Sequence, residues 1–258
     1  MLLYRLIPIA LAGFLIVPLF PLSSVRAEPV DATEVIRRLD LLLRGDTSTG
    51  LYEMTITDPK WERTLRMRVW EKRREKKTFI RILSPQKEKG VGTLKLETEM
   101  WNYLPRVERV IKIPPSMMMQ SWMGSDFTND DLVKESSIVD DYTHTLLGEV
   151  ELDGAATYHV EARPRPNAPV VWDRILYWVR KKDYMPLKEE FYSERGELIR
   201  VLTFSDIKEI GGRTIPTFWK MVPVKKEGKQ TSFRIIEAEF DVPIDDSIFT
   251  LRNMKRVR

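Results

Sequence analysis

Apolar and polar residues alternate along most of this chain. In GLYEMTIT (50–57) the side chains of Tyr52, Met54 and Ile56 fall on one side of an extended backbone, and in TLRMRVW (64–70) Leu65, Met67 and Val69 do the same. A period of two marks a half-buried strand. The alternation blurs in KKTFIRILS (76–84), continues through short stretches to Ile113, and resumes at THTLLGEVEL (143–152) to run almost to the C-terminus. Asp153-Gly154, Arg195-Gly196, Gly211-Gly212 and Glu227-Gly228 separate the segments, and such pairs supply the positive φ angles of tight hairpins. The pattern predicts about eleven strands, spaced roughly ten residues apart, in a meandering antiparallel sheet. Strands and helices do not alternate, which argues against a parallel sheet. A twisted open sheet seldom exceeds about ten strands without curling, splitting or closing. The expectation is therefore a mainly β chain whose sheet curls and acquires an inside.

Little helix is available to fill that inside. DATEVIRRLDLLLRG (31–45) reads as one helix, with Asp31 and Glu34 in a capping pattern, Val35, Leu39, Leu42 and Leu43 at helical spacing, and Gly45 as the stop. Thr128 and Asp131 form a second capping pattern, before DDLVKE. Between the strand runs lies PPSMMMQSWMGSDFTNDDLVKESS (114–137). Read as a helix beginning near Pro115 and ended by Gly124, it aligns Met118, Met119, Trp122 and Met123 in one stripe. Such a stripe normally faces a core. Methionine is also flexible and polarizable enough to refit around varied apolar shapes, so the same stripe suits a removable plug.

Composition narrows the setting. Arg5 precedes an apolar run from Leu6 to Leu22 that is broken by Pro8, Pro18 and Pro21 and followed by Ser23, Ser24, Val25, Arg26 and Ala27. That order reads as a signal peptide cleaved after Ala27, leaving one domain over residues 28–258. Loss of Arg5 and Arg26 lowers the formal charge of +4 by two, a balance that does not favour nucleic acid. The sequence contains no cysteine, which excludes disulfides and an N-terminal lipidated cysteine and fits a periplasmic resident. The basic cluster KRREKK (72–77) reads as a solvated hairpin tip.

Catalytic chemistry is sparse. Cysteine nucleophiles are absent, and Met123-Gly124-Ser125-Asp126 lacks the second glycine of a serine-hydrolase elbow. With Asp153-Gly154 as a tight turn, His159 pairs with Gly148 and shares a face with His144, about 13 Å away, too far to share a metal ion. Asp130-Asp131, Asp140-Asp141 and Asp245-Asp246 sit where caps and turns are expected. No metal, cofactor or enzymatic activity is expected. The seven tryptophans remain notable. Trp70 beside Val69, and Trp178 beside Val179, imply a sheet that is apolar on both faces and covered on both.

Five segments carry a family resemblance: KGVGTLKL (89–96), MWNYLPRVERVIKI (100–113), SWMGSDFTNDDL (121–132), GGRTIPTFWKM (211–221) and IDDSIFTLRNM (244–254). Together they resemble the bacterial outer membrane lipoprotein-sorting proteins related to the periplasmic carrier LolA. The resemblance implies a single strongly curved antiparallel sheet, an unclosed barrel, with two or three short helices over its concave face. It implies a carrier that shelters acyl chains of lipoproteins or lipids in a hydrophobic cavity for transfer toward the outer membrane. It also implies association with RND/MMPL-type inner-membrane transporters, for which a non-carrying adaptor is the alternative. Trp101, Tyr103, Met117, Met118, Met119, Trp122 and Met123 are the expected cavity or lid residues, and the protein is expected to act as a monomer. Arg106 and Arg109 are candidates for a lid-locking arginine, by proximity to the aromatic strand.

Overall fold

The computed structural model describes residues 30–134, 138–168 and 170–256; the signal peptide read at residues 1–27 lies outside them. The strands are β1 Thr47–Asp58, β2 Trp61–Lys72, β3 Lys77–Ser84, β4 Gly92–Leu96, β5 Glu99–Leu104, β6 Arg109–Lys112, β7 Tyr142–Leu152, β8 Ala155–Pro164, β9 Arg174–Arg180, β10 Pro186–Tyr192, β11 Leu198–Ile210, β12 Arg213–Pro223 and β13 Gln230–Phe240. The helices are α1 Ala32–Arg44, α2 Asn129–Lys134 and α3 Leu251–Met254. Among the described residues the strand number is thirteen, close to the expected count of about eleven, and the short stretches between Gly92 and Lys112 form three of them.

All thirteen belong to one sheet, in the order β6-β5-β4-β3-β2-β1-β13-β12-β11-β10-β9-β8-β7. Every pairing is antiparallel. Two meanders therefore meet where the first strand pairs with the last, and the two edges, β6 and β7, are consecutive strands. The chain between them must travel from one edge of the sheet to the other.

The expected hairpin chemistry is present. Asp153 and Gly154 have φ of 50° and 76°, and β7 and β8 pair outward from them. At Gly211 (φ 59°) a Cβ would lie 2.5 Å from the carbonyl oxygen of Ala238, so both conformation and space require glycine. The histidine geometry differs from expectation. Gly148 does pair with His159, but a bulge follows, and Leu146 pairs with Val160. One extra residue flips the side-chain phase. His144 consequently points to the α1 side, with its ring near Thr33 and the Ile138 carbonyl, whereas His159 stacks on Trp178 on the opposite face.

α1 begins and ends as its sequence indicates. Asp31 accepts a hydrogen bond from the Thr33 amide, and Gly45 terminates the helix with φ 63°. Glu34 does not complete a capping box; it pairs with Arg37 and Arg38. The terminal carbonyls, which lack helical partners, are met from the sheet: Arg213 donates to the Leu41 carbonyl at 2.6 Å and Arg73 to that of Gly45 at 2.8 Å. The apolar side of α1, with Val35, Ile36 and Leu39 buried, packs on inner-face residues such as Val160, Tyr177 and Phe204.

Both faces of the sheet are covered. α1 and α2 occupy the inner face. α3 does not join them: with Phe249 it packs against Phe79, Leu94 and Tyr103 on the other face. The C-terminal segment thus supplies the outer cover that the aromatic pattern implied. Replacing Ile36 with alanine should cost about 2–5 kcal/mol in chemical denaturation, the range for a fully buried aliphatic side chain. A loss below about 1 kcal/mol would mean that α1 is not integral to the core.

Candidate functional site: paired cavities under a crossing segment

Two cavities lie side by side on the inner face. The first, of about 140 Å³, is lined by α1, the crossing segment and strands β7 and β9–β12, with Leu39, Trp172, Ile175, Leu202 and Phe204 among its walls. In a flat sheet β7 and β12 would be about 24 Å apart. Tyr142 of β7 and Trp219 of β12 nevertheless line this one small cavity, so the sheet curls strongly around it. The second cavity, of about 120 Å³, is lined by residues including Tyr52, Met67, Val69, Trp122 and Phe233. Each approaches the ~150 Å³ of dry apolar cavities that accept a benzene-sized ligand.

Five residues line both cavities: Leu43 and Arg44 from α1, Phe127 and Asp131 from the crossing segment, and Trp219 from β12. They form a septum. Trp219 is fixed by donating its indole N–H to the Pro216 carbonyl (2.8 Å) and by an edge contact with Phe204. Phe127 meets Phe233 edge-on, with ring centroids 5.0 Å apart.

The segment 114–134 is not the expected helix with a methionine stripe. Pro115–Met117 and Trp122–Gly124 form two short 3₁₀ turns, and Ser121 bridges Thr128. Met123 and Gly124 both adopt positive φ, 52° and 77°, and two such residues in succession end any right-handed helix. The result is a folded-back loop, with the Trp122 amide donating to the Phe127 carbonyl (2.7 Å) and the Asp130 amide to that of Met118 (2.8 Å). The reciprocal cap before α2 is formed: the Thr128 amide donates to Asp131 and the Asp131 amide to the Thr128 hydroxyl.

The expected site residues divide between the two faces. Trp122 is buried, lines the second cavity and donates its indole N–H to Thr93 at 3.1 Å. Met117, Met118 and Met123 pack around it without reaching a cavity wall, and Met119 is half exposed. Trp101 and Tyr103 lie on the outer face, in the cluster under α3. Period two explains the division, because Met100 faces inward beside Trp122 and its neighbour Trp101 must face outward. Ser125 spends its hydroxyl inside the loop, donating to the Trp122 carbonyl at 2.7 Å.

Arg106 and Arg109 are exposed on the far hairpin. A buried arginine that holds the crossing segment is Arg200. It is 4% exposed and forms a two-pronged pair with Asp131 at 2.7 and 2.5 Å. It also donates to the Asp126 carbonyl and lies between the rings of Trp172 and Phe191. The alternation Arg200, Leu202, Phe204 on the inner face of LIRVLTF was a readable sign of a buried cation. A second network, Arg44 with Glu71 and Asp40 and Arg73 with Asp40, lies at the α1 end of the septum. Burial pushes the Asp131 carboxyl up, but Arg200 and the hydrogen bonds from Thr128 outweigh it and hold the group below its ordinary value.

Two outcomes follow. Arg200→Met leaves a buried carboxylate without its cation and should cost about 3–5 kcal/mol, much of it recovered by adding Asp131→Asn; denaturation of both variants checks this. A depressed carboxylate contributes stability that is fully present above its unfolded value of ~3.9 and lost as pH falls through the lower folded value. Hydrogen exchange in 118–134, corrected for intrinsic rates, should therefore accelerate below about pH 4. Unchanged protection down to the unfolding transition would remove Asp131 as a clamp.

A family model described as "-like: Uncharacterized protein" matches residues 74–256. No curated protein matches the chain. A DUF1329 family protein from Desulfovibrio piger superposes with a TM-score of 0.80 at 24% identity, covering 87% of this chain and 100% of that one. A putative outer membrane lipoprotein-sorting protein domain from Vibrio parahaemolyticus gives 0.76 at 24% identity over 87% and 98% of the two chains. A LolA superfamily protein from Nitrosomonas europaea gives 0.74 at 22% identity over 87% and 100%. The chain belongs to the family of that matching model, and its fold is the LolA-like fold of these three structures.

Proposed function

We propose that this protein is a periplasmic carrier that shelters the acyl chains of a lipid or lipoprotein between its curled sheet and the crossing segment 114–134. The observation that carries the reading is the pair of adjoining apolar cavities divided by a septum, two of whose five residues, Phe127 and Asp131, belong to that segment. When the segment lifts, those two side chains leave and the cavities merge into one trough. Each buried methylene then contributes about 0.8 kcal/mol, enough for a single chain to be held against water. No chemical step is needed; binding and release require only that cargo and segment compete for the same inner face.

The residues divide the work. Trp219 remains as a wall for the cargo, and Trp122 moves with the segment. Met117, Met118 and Met123 refit as the segment shifts, as unbranched polarizable side chains can. Arg200 and Asp131 set how readily it lifts. The leader at residues 1–27 delivers the protein to the periplasm. The names of the structures with the same fold, a lipoprotein-sorting domain among them, agree with this reading.

Native mass spectrometry of protein purified gently from periplasm should show co-purifying lipid, and a fluorescent fatty acid should bind and be displaced by unlabelled lipid. Leu43→Trp fills space on both sides of the septum; it should weaken probe binding at least about tenfold while costing no more than about 3 kcal/mol of stability. Protein that stays empty and ignores the probe would sink the proposal.

A further inference from the structure

One rim of the sheet combines exposed apolar side chains with an excess of cations. Four turns follow one another along it: residues 105–108 between β5 and β6, 85–91 between β3 and β4, 59–60 between β1 and β2, and 224–229 between β12 and β13. Adjacent hairpins place their turns about 10 Å apart. Contacts tie the last three together: Asp58 pairs with Lys229 at 2.7 Å, Pro59 lies against Gly228, and Arg63 pairs with Glu88. These turns hold six lysines and one arginine against three glutamates. Lys229 is engaged by Asp58 and Lys225 by Glu197, but Lys225 remains 66% exposed. Lys60, Lys87, Lys89 and Lys226 are exposed. Beside them Trp61 is 47% exposed, Val107 58% and Val224 51%.

The opposite rim contains the most basic stretch of the sequence, but most of that stretch is engaged in internal ion pairs. There Lys72 and Lys77 are held by Asp246, and Arg73 and Arg74 by Asp46. Those four cations are neutralised within the protein, whereas Lys60, Lys87, Lys89 and Lys226 of the first rim form no ion pair among the described residues.

From this we infer that the rim of residues 59–61, 85–91, 104–109 and 224–229 is a docking surface for an anionic lipid bilayer. Tryptophan and aliphatic tips enter the headgroup region while lysines meet the lipid charge, each kind of contact being too weak to suffice alone. The geometry also connects docking to the crossing segment, because Arg63, whose guanidinium lies over the Trp61 ring, donates to the Met123 carbonyl. A bilayer that draws Trp61 away disturbs the Arg63 contact and loosens the segment at that end. The inference concerns where the protein sits and stands apart from carriage, which is read by fatty-acid uptake without vesicles.

The test is co-sedimentation of the purified protein with vesicles rich in phosphatidylglycerol and with vesicles of phosphatidylcholine alone. Binding is expected to the first only, weakening as salt rises. Lys225→Glu with Lys226→Glu should weaken it by about tenfold or more. Trp61→Ser should weaken it severalfold with an unchanged circular dichroism spectrum, and Lys182→Glu on the opposite rim should have no effect. Three results would overturn the inference: no partition onto anionic vesicles, equal loss with Lys182→Glu, or wild-type affinity in both rim variants.

Discussion

The structure depends on one topological constraint. The sheet's two edges are consecutive strands, so the chain must cross from β6 to β7, and it does so over the inner face. That face is apolar, and any backbone laid on it must satisfy its own hydrogen bonds. The crossing segment does so by folding back on itself, with the bridge from Ser121 to Thr128, the cap between Thr128 and Asp131, and amide-to-carbonyl bonds in both 3₁₀ turns. The remaining groups are met from the sheet, where the Thr231 hydroxyl accepts from the Asp126 amide, Arg200 donates to the Asp126 carbonyl and Arg63 to that of Met123, so lifting the segment breaks these few contacts and leaves its own fold-back bonds intact. The cover is thus demanded by the connectivity and is held to the surface it covers at a few discrete polar contacts.

One of those contacts is a buried ion pair. Arg200 stands in the apolar layer between Trp172 and Phe191 and reaches Asp131 in the septum. A buried ion pair is poor value as a source of stability, since desolvation offsets most of the Coulomb attraction, but removing one partner is costly. A contact of that kind is selective for geometry. It holds when both groups meet and becomes unfavourable when they are separated in a dry space, so intermediate positions of the segment are disfavoured. Apolar contacts alone would allow the segment to slide. The Arg44 network at the other end of the septum anchors α1 to β2 in the same way.

The two faces of the sheet have different uses, and the aromatic residues are divided accordingly. Trp122, Trp172 and Trp219 point inward to cavity walls. Trp70 and Trp101 point outward into a small closed cluster with Phe79 and the C-terminal segment. Trp178 also points outward, covered by the His159 ring and the Lys188 ammonium. The inward set borders the two cavities.

Local sequence determined what local physics can determine. Period-two alternation located the strands, Asp31 and Gly45 bounded α1, Asp153-Gly154 set the β7–β8 register as far as Gly148, and Thr128 with Asp131 capped α2. The covering of both faces was legible in Trp70 beside Val69. Tertiary structure decided which residues became the site. Whether Trp101 or Met100 faces the hollow is a matter of strand phase, and a single bulge, as at Leu147, reverses phase beyond any local rule. The fold of 114–134 was decided by Met123 and Gly124 adopting left-handed conformations that close a loop, against the helical spacing of the methionines. The septum joins α1, the crossing segment and β12, residues up to 176 positions apart in a chain of 258. Such proximity arises only once the sheet has curled, because curling is set by the summed twist of thirteen strands rather than by any one of them.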